Sequence, residues 1–135
     1  MTEIAARHKA AIVEALTSAF TKRDFVALER WFAPEYIQHN PFIPGTRDGL
    51  RAYIASLPPD RRYEPGMVLA EGEFVMIHGR YSGGEGRKTF VAADIFRFEN
   101  DRVVEHWDVL QEEVPAEQTV AGNAMFTIAE SYRGG

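Results

Sequence analysis

The apolar side chains in the first part of the chain recur at helical spacing. They fall every three or four residues, so they share one face of a helix of about five turns. This face consists of Ile4, His8, Ala11, Ile12, Ala15, Leu16, Ala19 and Phe20. A second, short helix is predicted from an N-cap at Asp24 to just before Pro34, with Phe25, Leu28, Trp31 and Phe32 as its apolar positions.

A third helix is predicted from Arg47 to Leu57, because apolar residues again keep helical spacing and Pro58-Pro59 ends the pattern. The preceding segment, Tyr36–Pro41, is too polar and too bounded by proline for a long regular element. We therefore expect a loop there, and its histidine and asparagine make it a candidate functional loop.

From Met67 onward the apolar positions alternate, which is typical of strands. Four strands are predicted: Met67–Ala70, Phe74–Tyr81, Lys88–Phe98 and Arg102–Glu113. Short turn sequences join them, and Asn100-Asp101 fits a tight hairpin because both residue types tolerate positive φ. Helices followed by an antiparallel meander indicate an α+β fold, in which three helices cover one face of the sheet.

The same alternation decides which side chains share a face of the sheet, since residues two apart point the same way. In three strands one face carries ionisable groups among large apolar ones. These sets are Phe74, Met76, His78 and Arg80; Phe90, Ala92, Asp94, Phe96 and Phe98; and Val104, His106, Asp108 and Leu110. If the sets lie on one side of the sheet, two aspartates and two histidines meet in an apolar cavity under the helices.

Such a cavity would suit acid/base chemistry. Apolar surroundings raise the pKa of a carboxyl group, and a nearby imidazole can relay its proton. A structural interpretation stays open, in which Asp94 pairs with Arg80 and His78 is a hydrogen-bonded core histidine. His106-Trp107-Asp108 also has the His-x-carboxylate spacing of a non-haem iron site, with His39 or His78 as a further ligand. A lone triplet of this kind arises easily by chance, so we predict no metal and no other cofactor.

Composition excludes several classes of protein. The length of 135 residues fits one domain, predicted to span residues 1–135. No cysteine is present, which excludes disulfides, cysteine-bound metals and a thiol nucleophile. The net charge of −5 disfavours nucleic-acid binding.

Apolar runs fall far short of the roughly 20 residues that cross a bilayer, and the first residues do not resemble a secretory signal. A cytoplasmic protein without membrane contact is predicted.

The opposite face of the predicted sheet is too apolar to remain exposed to solvent. It carries Val91, Ile95, Val103, Trp107 and Val109. A second copy of the same sheet would cover it economically, so a homodimer through this face is predicted. The segment Glu117–Gly135 contains apolar residues and is expected to close either the cavity or the dimer.

Two segments resemble a known family. Tyr36–Pro41, and Asp94–Phe98 together with Val104–Gln111, are similar to the SnoaL-like, polyketide cyclase-related branch of the nuclear transport factor 2-like superfamily. The resemblance implies a cone-shaped α+β fold with a cavity at its open end and cofactor-free acid/base chemistry. It implies Asp108 as the base, with Asp94 as second candidate, and His39, Asn40 and His106 as donors to an enolate oxygen.

The favoured hypothesis is an enzyme that transfers a proton on an apolar carbonyl compound, in an aldol-type cyclisation or an isomerisation. The predicted catalytic residues are Asp108, Asp94 and His106, and the predicted substrate-binding residues are His39, Asn40, His78, Tyr36, Arg80, Phe96 and Leu110. One alternative is a ligand-binding or dimeric interaction module whose aspartates pair with Arg80, Arg97 or backbone donors. Another is a hydrolase that activates an ordered water between Asp94 and Asp108, with Arg80 as a candidate group between the two carboxylates.

Overall fold

The computed structural model describes residues 2–128, so Met1 and residues 129–135 of the predicted domain lie outside that description. The helices are α1 (Glu3–Leu16), continued by a π-helical turn (Thr17–Thr21), α2 (Val26–Trp31) and α3 (Arg47–Ala55). The strands are β1 (Phe32–Gln38), β2 (Arg62–Glu71), β3 (Phe74–Ser82), β4 (Phe90–Glu99) and β5 (Arg102–Glu112), followed by a 3₁₀ turn (Ala116–Gln118).

Side-chain caps fix the starts of the first and third helices. The hydroxyl of Thr2 accepts the Ala5 backbone N–H, and that of Thr46 accepts the Gly49 backbone N–H. The three predicted helices are all present, as α1, α2 and α3. None of the helices in residues 2–128 is both long enough and apolar enough to span a membrane.

The sheet has the strand order β1-β5-β4-β3-β2. The four predicted strands pair antiparallel, which confirms an α+β fold with a curved open sheet. The fifth strand, β1, corrects the prediction: Phe32 lies in a strand, not in the second helix, and the first half of the predicted loop, up to Gln38, belongs to that strand. β1 runs parallel to β5, with Gln38 opposite His106.

A β-bulge near the β4–β5 hairpin changes which side chains face the helices. Arg97 pairs with Glu105, but the next residue, Phe98, pairs with Val103, so Val104 is the extra residue. Val103 is consequently fully buried in the core under the helices, which corrects its predicted place on the outer face. The hairpin turn itself is as predicted, since Asn100 and Asp101 both have positive φ, 49° and 64°.

The outer face of the sheet is partly covered by the chain itself. Val91 is buried, and the segment after β5 returns across this face, where the Phe126 ring lies 6.0 Å from the His78 ring. A Cβ on Gly66 would collide with Phe126 and with the Thr127 carbonyl, so the packing there is close. Up to residue 128, this segment therefore lies over the outer face near β2 and β3.

Candidate active site

A cavity of about 390 Å³ lies between the helices and the covered face of the sheet. Its walls are mainly apolar, with Leu16, Phe20, Leu50 and Leu57 from the helical layer and Phe32 and Phe96 from the sheet. This size and this predominance of apolar walls are typical of pockets that take small molecules.

Three ionisable side chains from neighbouring strands meet in this cavity. Asp94 on β4 stands directly opposite Asp108 on β5, and His106 lies two residues before Asp108 on the same face. His106 Nε2 is 2.7 Å from Asp94 Oδ1 and 3.9 Å from Asp108 Oδ2. All three side chains are at most 8% exposed, so their electrostatic interactions are little screened by water.

Gln38 on β1 determines where the protons of His106 lie. Its Oε1 accepts the Asn40 backbone N–H at 2.9 Å, and its Nε2 donates to the Tyr36 hydroxyl at 2.9 Å. Because Oε1 accepts only, the His106 Nδ1 that lies 2.7 Å from it must carry a proton. The 2.7 Å contact between Nε2 and Asp94 then contains one further proton, shared by the imidazole and the carboxyl group.

Asp108 has a different environment from Asp94. Asn40 Nδ2 donates to Asp108 Oδ2 at 2.7 Å, and the Asn40 amide is oriented by its Oδ1, which accepts the Phe42 backbone N–H. Burial raises the pKa of the Asp108 carboxyl and the nearby Asp94 raises it further, while the Asn40 hydrogen bond and His106 lower it. The net effect is a raised pKa, which makes ionised Asp108 a stronger base than an exposed aspartate.

Two tyrosines complete the polar network. The Tyr81 hydroxyl donates to Asp94 Oδ2 at 2.9 Å, and burial together with Asp94 raises the Tyr81 pKa well above its ordinary value. Burial raises the pKa of Tyr36 to about 12. Both hydroxyls therefore remain protonated near neutral pH, and the one on Tyr81 is a fixed donor to Asp94.

The sequence profile of the SnoaL-like domain matches residues 13–106, well over half of the chain. The chain belongs to the SnoaL-like family. No curated protein sequence matches it significantly.

Solved structures with the fold of this SnoaL-like domain include TsrD from Streptomyces laurentii, with a TM-score of 0.68, 23% identity, and coverage of 82% of this chain and 91% of that chain. A provisionally assigned SnoaL-like polyketide cyclase from Jannaschia sp. CCS1 gives a TM-score of 0.68, 14% identity, and coverage of 82% and 90%. AclR, a provisionally assigned hydroxylase from Streptomyces galilaeus, gives a TM-score of 0.64 and 18% identity, with coverage of 80% of this chain and 81% of that chain. At these identities the similarity establishes the fold alone.

Most of the predicted site residues of the SnoaL-like domain lie together. The cavity walls include Tyr36, Asp94, Phe96, His106, Asp108 and Leu110, and Asn40 binds Asp108 from the rim. Their common face follows from the period of two in β4 and β5, because the bulge lies outside the stretch from Asp94 to Phe96 and its partners.

Three predicted residues lie on the outer face instead, and their predicted place in the cavity is wrong. In β3 the side chains that face the helices are Val75, Ile77 and Tyr81, so His78 and Arg80 point away. Arg80 binds Glu64 and Glu113, each at 2.8 Å, and so cannot assist a hydrolase between the aspartates. His39 binds Glu105 at 2.7 Å and stacks on Trp107, also on the outer face.

Sequence reasoning missed two residues of the network, Gln38 and Tyr81. Tyr81 could have been found, because Val75, Ile77 and Tyr81 form the more apolar of the two β3 faces, and that face is the one a helical layer should cover. Gln38 had no comparable signal. Its position depends on the parallel pairing of β1 with β5. Pro34 lies within β1, and a proline in a run of residues argues against a strand.

Asp94, His106 and Asp108 also offer three ligand atoms within 4.8 Å of one another, a set that could hold a metal ion. The proton on Nδ1 leaves Nε2 as the ligand atom, which suits such a site. However, Nε2 and Asp94 Oδ1 are 2.7 Å apart and share a hydrogen bond, which a metal would have to displace. The observed geometry therefore fits a proton-sharing pair.

Proposed function

We propose that this SnoaL-like domain is a cofactor-independent enzyme that transfers a proton on an apolar carbonyl compound, with Asp108 as the base. The observation that supports this most strongly is the position of Asp108. It is a buried carboxyl group with a raised pKa, beside a proton-sharing His106–Asp94 pair, in a largely apolar cavity. Pairs of ionisable groups with contrasting environments are typical of acid/base catalysts.

In the proposed step, Asp108 removes a proton from the carbon next to the carbonyl group. The C–H bond breaks, an O–H bond forms on Asp108, and the electron pair moves to the carbonyl oxygen to give an enolate. The apolar walls exclude water, so hydrogen bonds to the enolate oxygen are stronger than in bulk solvent. Asn40 Nδ2, which donates to Asp108, and the proton held by His106 and Asp94 are the nearest donors.

The enolate then has two balanced outcomes that need no oxidant or reductant. Its carbon can attack a second carbonyl group of the same molecule, whose oxygen takes the proton from Asp108, which completes an aldol-type cyclisation. Alternatively, Asp108 returns the proton to another carbon of the conjugated system, which completes an isomerisation. Both outcomes regenerate the ionised carboxylate.

Proton exchange on a neutral aryl ketone tests this proposal without knowledge of the natural substrate. The primary amide of naphthoylpropionic acid carries exchangeable hydrogens next to its ketone, and their replacement in D₂O is followed by proton NMR. We expect the wild-type protein to accelerate exchange by at least about 10²-fold over buffer. Exchange at the buffer rate, with the amide shown to be bound by calorimetry, would favour the alternative of a non-catalytic ligand-binding module.

The pH dependence of this exchange should respond to the two neighbours of Asp108 in opposite directions. The acid limb of the wild-type profile is expected above the ordinary aspartate pKa of about 3.9, because ionised Asp108 is the active form. Asn40→Ala removes a hydrogen bond that lowers the Asp108 pKa, so the limb should move to higher pH. Asp94→Asn removes a charge that raises it, so the limb should move to lower pH. Shifts in the same direction would contradict these assignments.

We also propose that the protein is a homodimer through the uncovered part of the outer face. Val109 is 71% exposed there, and Trp107 and Phe74 lie beside each other with ring centroids 6.3 Å apart. Because an apolar patch of this kind needs a cover, a charge at Val109 should disrupt the dimer.

The test is the molar mass in solution, measured by light scattering. We expect a dimer for the wild type and a monomer for Val109→Lys. Val26→Lys is the matched control, because Val26 is equally exposed, at 72%, but belongs to helix α2 and not to the outer face of the sheet. A monomeric wild-type protein, or equal behaviour of the two variants, would refute the proposed interface.

A further inference from the structure

A group of cations lines one end of the cavity, in a chain whose net charge is −5. Arg61, Arg87 and Lys88 contribute to the wall where β4 begins. From Phe90 at the start of β4 to Asp94, the strand runs for about 13 Å, at about 3.3 Å per residue. The cavity therefore has a cationic end and an acid/base centre along the same strand.

Arg61 is the buried member of this group, with 7% of its surface exposed. Arg80 and Arg97 each bind two glutamates, whereas within residues 2–128 no carboxylate binds Arg61. Burial lowers the pKa of Arg61, and the positive charge of Arg87 lowers it further. A buried cation without an acidic partner is costly in a folded protein, so its place in a ligand cavity requires an explanation.

The hydrogen bonds of Arg61 leave one edge of its guanidinium group available. Nη1 donates to the backbone carbonyls of Gly83 and Lys88, both at 2.9 Å. Among the described residues, no acceptor is bound to Nε or Nη2. These two nitrogens form the side-on edge that binds a carboxylate with two parallel hydrogen bonds.

The backbone around Arg61 is tightly built, so the guanidinium position is defined. Gly83 has a φ of +89°, and a Cβ there would lie 2.1 Å from the Asp60 carbonyl oxygen, so the loop before β4 packs directly on the Arg61 segment. On the other side, the guanidinium of Arg23 donates to the carbonyl oxygens of Arg61 and Pro58. The Arg61 segment is thus held between the backbone of the Gly83 loop and the side chain of Arg23.

We propose that Arg61, assisted by Arg87, binds the carboxylate of the ligand, and that the substrate is an apolar keto acid. This inference deepens the proposed function and rests on it, since Arg61 would anchor the molecule whose carbonyl group faces Asp108. The anchor supplies the charge partner that Arg61 lacks, and it fixes the orientation of an otherwise apolar ligand.

Naphthoylpropionic acid and its primary amide form a matched pair of probes, because they differ in charge but hardly in shape. Calorimetric titration of the wild-type protein at neutral pH should give an affinity about tenfold to a hundredfold higher for the acid. Equal affinities, or a preference for the amide, would overturn the proposal without the need for any variant.

Variants test which residue causes the preference for the acid over the amide. Arg61→Gln should abolish it and leave the affinity for the amide within about twofold of the wild type. Arg62→Gln is the matched control, since Arg62 is the exposed neighbour with the same charge, and this variant should keep the preference. An equal loss for both probes in Arg61→Gln, or an equal effect of Arg62→Gln, would overturn the assignment. If Arg61→Gln does not fold, the exposed Arg87 decides: a reduced preference in Arg87→Gln supports the proposal and an unchanged one overturns it.

The outcomes for the anchor and for the proton transfer are separable. Asp108→Asn should retain the preference for the acid, because Asp108 lies away from the cationic end. Catalysed exchange without a preference for the acid would refute only the anchor, and a preference without catalysed exchange would refute only the proton transfer.

Discussion

Replacement of Asp108 by asparagine is expected to lower catalysed α-proton exchange by about 10²–10⁴-fold, the contribution typical of a positioned general base. Asparagine has the same shape, and its carbonyl oxygen can still accept the hydrogen bond from Asn40, so the binding of the amide probe should not change. Asp48→Asn, a change at an exposed position in the first turn of α3, is the matched control and should exchange at the wild-type rate. Retained exchange in Asp108→Asn would transfer the role of base to another group.

The same substitution should stabilise the protein near neutral pH. The folded-state pKa of Asp108 is raised, so its stabilising contribution is complete below the unfolded-state pKa and is lost as the pH rises through the folded-state pKa. Asp108→Asn should therefore unfold at a higher temperature than the wild type at neutral pH, and at the same temperature in acid. Higher stability together with lost activity is the result expected of a catalytic group rather than a structural one.

His106→Phe is expected to have the largest effect on stability. The ring can still pack against Phe96, but Asp94, whose side chain is 3% exposed, loses its partner for one carboxylate oxygen. Removal of one partner of a buried ionic pair costs about 3–5 kcal/mol at neutral pH, because the other charge remains buried. Urea unfolding at neutral pH measures this loss.

A double variant distinguishes coupling from simple loss of packing. Asp94→Asn combined with His106→Phe removes the uncompensated charge, while the neutral amide still accepts the Tyr81 hydrogen bond. The double variant should recover most of the stability that His106→Phe loses. If it is as unstable as the single variant, the two residues do not share a proton in the way described.

The part of the site that could be predicted from sequence is the part that depends only on the alternation of side chains along a strand. The alternation in β4 and β5 placed Asp94, His106 and Asp108 on one face, because the hairpin at Asn100-Asp101 sets a local register for both strands. Within such a hairpin, residues two apart share a face whatever the rest of the molecule does.

The incorrect predictions concern β1, the face of β3 and Val103, and each depends on contacts that a local sequence pattern does not show. β1 pairs with β5 in parallel over a separation of roughly seventy residues, and such contacts leave little trace in a short window of sequence. The predicted cavity face of β3 is the one that carries the ionisable His78. The packing of Ile77 against the helical layer places the opposite face of β3 under the helices. Val103 was misplaced because a bulge shifts the register by one residue.

Burial makes Asp108 a base in a cavity that it shares with the proton-sharing His106–Asp94 pair. The most direct measurement is an NMR titration of the side-chain carboxyl carbons, with the Asp108 signal assigned by its loss in Asp108→Asn. We expect a pKa clearly above the ordinary aspartate value of about 3.9. A pKa at or below that value would show that Asp108 is a stabilised structural carboxylate and would contradict the proposed chemistry.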